Sequence, residues 1–494
     1  MRRCEASATR EAPCVKARQI PCQSPVGVEA IVRLGLGKTA ALTVEAGTHG
    51  GIVVEAFEAP GRWWLPSNPD DRLSGTLVCD SEGNLTLKMI GAFRRVTNDV
   101  EVKPGVRIRQ PDGNTYSRLL GQSGSDIYTL ENCFRQSYDP LRGENSQQIV
   151  HVGQALRGAL FEENEAFEFN ALTVRLAGMQ YWVRRGAIDQ TSTFAEDRTS
   201  GELDQHSLTV EPMRPKAFRG PGVLALTLAQ STGWTGDGFT HKTLSQDFPV
   251  TIQSEKLVPL EVLMAEASAI QDLVSVGLGR VAAFTQVTVA RADVTELIVP
   301  DSGPVPVSME LFAPWTLQAD EGLKPPFVPR FALPHLGGVA GIERWLLATA
   351  AHRSALARAM RPHYSKGSFV GEAFFAAASA VEAYDRKLGN SGSYLTRLRR
   401  TAATAGPPFA DLVGDVDQWS NKVKNLRNEV AHHDPAVDGA ARTHFFFGRS
   451  VHLCLVLALL NDAEAPAAAF NALAAHRDFK WIQSEIANLV RDSR

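Results

Sequence analysis

The chain has 494 residues, 44% hydrophobic and 21% charged, with 51 basic against 54 acidic side chains and a formal charge of −3. That length implies about three domains, the composition is that of a folded protein, and the near-neutral balance excludes bulk electrostatic attraction to nucleic acid. No run of about 18 apolar residues is present to span a membrane, and the six cysteines form no CxxC pair and have no close His partner, so neither a zinc site nor a disulfide framework is indicated and a reducing, cytoplasmic setting is expected.

Residues 1–48 hold Cys4, Cys14 and Cys22, show little periodicity and lack the apolar core of a secretory signal, so they read as a disordered extension. Within them GLGKTA, Gly35 to Ala40, imitates a phosphate-binding loop. Such a loop needs a glycine five residues before Gly37, where Val32 stands, and the nucleotide-binding reading is rejected.

Residues 49–330 turn to short β segments. TLVCD and LTLKM, joined by SEGN, predict a hairpin, and VRIRQ, DIYTL, FNALTVRL, LALTLAQ, FPVTIQS and VSMELF predict further strands. One helix, Leu260 to Leu278, interrupts them, giving an α+β or β-sandwich-like region. Trp63 and Trp64 suit core packing better than a ligand platform. No charged constellation with catalytic spacing stands out, so sensing or regulation is assigned to this region by exclusion.

From 331 to 494 the composition becomes Ala-rich and helical, as in a bundle. A helix is expected over Gly338 to Met360, with Pro362 bending the chain before the next, Phe369 to Leu388, which stops at Gly389. Val416, Trp419, Val423, Leu426 and Val430 then repeat at three and four, one buried stripe, with Asp415 or Asp417 as cap and Pro435 as stop. ARTHFFFGRSVHLCLVLALL and FKWIQSEIANLV close the bundle, Val451 to Leu460 being too short for a membrane span and reading as a buried core helix.

The segment RNEVAHHD, Arg427 to Asp434, carries the candidate chemistry. An Arg followed five residues later by His also occurs at Arg330 with His335 and at Arg358 with His363, but there a proline precedes the His and is expected to break the helix. At about 100° per residue, Arg427 flanks the apolar stripe, while Asn428 and His432 stack on nearly the opposite face. RNA cleavage by the ribose 2′-hydroxyl needs only proton transfer and stabilisation of a charged phosphorane. His432 is suited to acid or base catalysis, Arg427 offers a permanently charged fork for phosphate oxygens, and Asn428 is placed to orient the imidazole or hold the phosphate. Neither Glu429 nor His433 is assigned to catalysis. Arg397, Arg399, Arg400, Lys422 and Lys424 form a local basic cluster suited to an RNA backbone. Neither metal nor cofactor is expected.

A long helix ending in Arg, Asn, three residues and His, after another long helix and a loop, resembles the signature of HEPN-domain ribonucleases, matched at Arg427, Asn428 and His432. The β-rich region before it, with GRWWLPSNPDDRLSGTLVCDSEGNLTL, is similar to the opening of the ApeA N-terminal domain, so that roughly residues 50 to 490 resemble the ApeA-like group of anti-phage defence proteins. This resemblance implies a homodimer with the two motif helices face to face, RNA as substrate, with transfer RNA expected, and a phage-derived trigger sensed by the front half. The rival expectation is a non-catalytic ligand- or protein-binding module whose helical domain only dimerises.

Overall fold

The computed structural model describes residues 56–491 apart from 92, 94–98, 104–105, 110–114, 139–146, 187, 195–202, 223, 237–239, 297–303, 315–326, 366 and 432–439. The extension 1–48 and the GLGKTA segment lie outside the described residues. The architecture is β-rich from 57 to 312 and helical from 333 to 491, the α+β arrangement expected.

The first strands close on themselves. Thr115–Ser123, Phe57–Leu65, Asn68–Cys79, Leu85–Ile90, Gln147–Val152 and Asp126–Tyr138 pair in that order, all antiparallel, and the last pairs again with the first, making a six-stranded barrel. The expected hairpin is there, its turn held by the Asp80 carboxylate, which accepts from the backbone N–H of Glu82 and Asn84 at 2.8 and 2.9 Å. Alternation sends Leu77, Leu85, Leu87, Leu119, Leu130, Val150 and Val152 inward, all fully buried. Trp63 fills the centre and donates its indole N–H to the carbonyl of Gly75 at 3.1 Å. It is core, as expected. Gly121 is required beside it, since a Cβ there would stand 2.1 Å from the Trp63 ring.

Asp126–Tyr138 belongs to two structures at once. Tyr128 to Glu131 pair with Gln154–Arg157, whereas Phe134 to Tyr138 pair with Gln147–Val152. Between them Asn132 adopts φ 55°, and the N–H of Gly153 bonds the carbonyls of Glu131 and Asn132. The bulge bends the strand out of the barrel and into an open antiparallel sheet of order Gln154–Arg157, Met309–Phe312, Phe284–Ala290, Glu168–Leu176, Val250–Pro259, Ala225–Leu228, Lys216–Arg219.

Helix α1 is the short Met179–Val183, and α2 is Leu260–Leu278, with the bounds its periodicity predicts. The sheet covers one side of α2 and helices cover the other, which explains why its polar residues are buried and paired: Glu266 with Arg353 at 2.6 Å, Gln271 with the carbonyl of Ala282 at 3.0 Å, and Asp272 with the Tyr364 hydroxyl.

The helical part comprises α3 (Val339–Ala350), α4 (Arg353–Tyr364), α5 (Val370–Lys387), α6 (Tyr394–Ala405), α7 (Pro407–Val413), α8 (Val416–Ala431), α9 (Ala440–Asp462), α10 (Ala467–Ala475) and α11 (Arg477–Arg491). Two expectations are corrected here. The helix expected over Gly338 to Met360 is two helices, parted at Ala351 and His352, and Pro362 lies inside α4. A proline two residues before a helix end removes one ladder bond and leaves little helix beyond it to kink. Arg358 and His363 are therefore helical too, and proline does not set them apart from Arg427.

Helix α9 is the centre of the bundle. It is apolar and long enough to cross a membrane by composition, yet 72% of its apolar window is buried inside the fold. Val451 to Leu460 are all buried, His452 among them, and Ser450 accepts the Trp419 indole N–H at 2.9 Å. Its core is continuous with that of the open sheet, running from Leu156 through α2, Phe331, Leu336 and Trp345 to Ile486. The barrel keeps a separate core. A second compact unit contains the hairpin Ile188–Phe194 with Leu203–Val210, in register from Ile188 opposite Val210.

Candidate functional site

Helix α8 forms as its stripe requires. Trp419, Val423 and Leu426 are buried, and the Asp415 carboxylate caps the start by accepting from the N–H of Gln418 at 2.9 Å. This leaves Asn421, Asn425 and Asn428 exposed along the outer face and puts Arg427 at the edge of the core.

The Arg427 guanidinium is about one quarter exposed. Nη2 donates to Glu382 Oε2 on α5 at 2.9 Å, and the planar group lies 4.4 Å from the centroid of the Tyr394 ring. Its Nε is buried and has no partner among the described residues, where the one hydrogen bond of this guanidinium is that from Nη2. Glu382 Oε1 also accepts from Arg386 at 2.6 Å. Tyr394, the first residue of α6, donates to the carbonyl of Ala378 at 3.2 Å; burial raises its hydroxyl pKa, opposed by the Arg427 charge. Stacking and the ion pair together fix the plane of the guanidinium. Asn428 stands next to it on the open side. His432 and His433 lie outside the described residues.

Of the basic cluster, three members have carboxylate partners within the chain. Arg400 grips Asp385 with two bonds, at 2.9 and 2.7 Å, and bonds the carbonyl of Ser391. Arg397 is buried, 3.2 Å from Asp385, and bonds the carbonyls of Gly392 and Asn390. Burial pushes the Asp385 pKa up, but the bonds from Arg400 and Asn390 and the two guanidinium charges hold it below the usual carboxylate value. These two arginines thus fasten the loop GNSGSY between α5 and α6. Arg399 pairs with Asp417 at 2.7 Å, and Lys422 and Lys424 form no ion pair among the described residues.

Sequence reasoning missed two neighbours. Tyr394 lies 33 positions before Arg427, at a distance no local spacing signals, although its place directly after the Ser393 cap was legible. His444, near the start of α9, packs its ring 5.5 Å from Phe374 on α5, with Nε2 buried and unpartnered among the described residues. Burial lowers its pKa, against the opposing charge of Glu429. Among the described residues no group of His, Cys, Asp and Glu is arranged to hold a metal ion. What the site offers is a fixed positive fork beside an exposed amide face.

Comparison with known proteins gives one family. The model described as ApeA N-terminal domain 1 matches residues 58–337, more than half of the chain. No curated protein and no solved structure matches.

Proposed function

The chain belongs to the ApeA family of anti-phage defence proteins, and from that premise we propose that its helical part is a metal-independent endoribonuclease of the HEPN type, with transfer RNA as substrate and a phage-derived trigger acting through the β-rich part. The observation that supports this reading is the seating of Arg427: a guanidinium held in plane by Glu382 and Tyr394, with Nη1 unbonded among the described residues and Asn428 exposed beside it.

In this reading two subunits meet with their α8 helices face to face. His432 of one subunit removes the proton of a ribose 2′-hydroxyl as its oxygen attacks the adjacent phosphorus, and His432 of the partner subunit protonates the departing 5′-oxygen. The two Arg427 side chains balance the charge that builds on the non-bridging oxygens. The products are a 2′,3′-cyclic phosphate and a 5′-hydroxyl, with no electron transferred and no metal needed.

The test is sequencing of RNA ends from cells expressing the wild type, Arg427→Ala or His432→Ala, with purified enzyme assayed in parallel. The expected result is cyclic-phosphate ends made by the wild type with or without chelator, reduced about 10²- to 10⁴-fold in His432→Ala as for loss of a general acid or base. Loss of cleavage on adding EDTA, or equal cleavage by all three proteins, rejects the reading. Absence of cleavage in all three, with ligand binding intact, favours the non-catalytic rival.

A further inference from the structure

Where the C-terminus of α2 meets α4 and α9, the fold gathers more positive charge than it neutralises. Arg330, 7% exposed, comes from the connection before α3, His363 from α4, and Arg449 and His452 from α9. All four line one narrow cleft with Ser275 and Gly279 of the α2 end. Arg330 lies against Gly279, whose missing side chain makes the space: a Cβ there would sit 2.7 Å from Arg330 Nε.

The compensation falls short. Asp478 of α11 is the carboxylate that faces the cluster, 3.2 Å from Arg330, and it also serves Arg477 at 3.7 Å. Among the described residues Arg449 makes no hydrogen bond or ion pair; its guanidinium lies 5.4 Å from the Phe445 ring and feels the Asp478 charge only at a distance. The α2 C-terminal carbonyls supply at most about half a negative charge, and those of Ser275 and Val276 already accept from Gly279. Arg330, Arg449 and Arg477 thus share the single charge of Asp478, and the partly buried Arg449 is left under-compensated, a place an anion would complete.

The two imidazoles describe the same gap. Their rings are 4.8 Å apart, and Nδ1 of His452, a residue 6% exposed, has no partner among the described residues. Burial, with Arg449 and Arg330 adding to it, pushes His363 down to about 4 and His452 well below the usual value. Both rings are thus neutral at physiological pH, each with one N–H to donate. The cleft leaves about 20 Å³ in which the centre of an oxygen-sized atom can move, room for one or two waters or a single oxyanion, and none for a nucleoside.

We propose that this cleft binds one phosphate group, with Arg449 as its principal counter-charge and His452 and Arg330 as further donors, and that it takes either the free ion or the terminal phosphate of a larger ligand whose body stays outside. Arg330 precedes the helical part and lies within the family-matched segment, while His363, Arg449 and His452 lie beyond it. The bound phosphate therefore ties α2 and the matched segment to α4 and α9. The inference is independent of RNA cleavage, and its test reads binding alone.

The full chain is titrated with inorganic phosphate, adenosine 5′-monophosphate or chloride at constant ionic strength and pH 7, by calorimetry and by thermal unfolding. Saturable binding of phosphate with a rise in Tm, absent with chloride, is expected. Tighter binding of the monophosphate identifies the ligand as larger than the ion, and its exclusion identifies the free ion; both outcomes support the site. Arg449→Gln weakens phosphate about tenfold, the loss expected for one charge-assisted pair. Should Arg449→Gln not fold, Arg449→Lys keeps the charge but not the fork and is expected to bind more weakly while melting as the wild type does in chloride. No saturable phosphate binding, or wild-type affinity in Arg449→Gln or in Arg449→Lys, overturns the proposal.

Discussion

Asp272 shows how a single buried carboxyl sets a pH dependence. It sits within α2, closed off from water, and accepts a hydrogen bond from Tyr364; burial raises its pKa to about 7 against that bond and the Arg353 charge. In the unfolded chain the group titrates near 3.8. The folded protein thus holds a proton the unfolded chain has released, so this group's contribution is full below pH 3.8 and is lost as pH rises through 7. Asp272→Asn keeps an acceptor for Tyr364 and carries no charge. It is expected to stabilise the protein by roughly 1–3 kcal/mol more at pH 8 than at pH 5, read as Tm against pH; an equal gain at both values would show that ionisation is not the cause. His363 works in the opposite direction. Held neutral down to about 4, its contribution is present above 6.5 and declines as pH falls from there toward 4. Residue roles of this kind were only partly visible in the sequence. The helix faces of Arg427 and Asn428 were legible because periodicity fixes them, whereas the places of Tyr394, His444 and the companions of His363 depend on contacts between helices far apart in the chain.

At the scale of elements, what the sequence reveals is what local spacing encodes. Helix α2 was readable end to end from its periodicity, whereas of the Asn68–Cys79 hairpin only the part beside the turn was legible, TLVCD and LTLKM around SEGN. The closing of the barrel was not readable, because it depends on pairing Asp126–Tyr138 with two different partners through a bulge at Asn132, a residue with no turn signal around it. Nor was the parting of α3 from α4, where no proline or glycine marks the break and Pro362, the one visible breaker, is carried inside a helix. The barrel makes a sharp prediction. Gly121 is the floor on which the Trp63 ring rests, and the fully buried ring is closed in by Gly75 and, at 5.8 Å, by the Tyr128 ring. Gly121→Ala is expected to cost about 1–3 kcal/mol by overpacking, read as a lowered denaturant midpoint of Trp63 fluorescence, and an unchanged midpoint would show that the barrel core is looser than its contacts imply.

At the scale of the molecule, the two halves suggested by composition share one interior. Composition changes near residue 330, but Phe331, Leu333 and Leu336 are buried together with Trp182 of the sheet side and Trp345 of α3, whose indole N–H bonds the carbonyl of Ala269 in α2 at 3.0 Å. The barrel, by contrast, has its own core and is joined to the open sheet through the strand Asp126–Tyr138. Cooperative units follow buried contacts rather than sequence composition. Hydrogen exchange at increasing denaturant should therefore show α2 and α9 opening together with one free energy, and the barrel strands Phe57–Leu65 and Leu85–Ile90 opening with another. Joint opening of α2 and α9 would mean that a signal arriving on the sheet reaches the helices through packed side chains, with no hinge between them. Exchange of α2 with the barrel, and of α9 apart from both, would place the mechanical boundary between sheet and bundle instead.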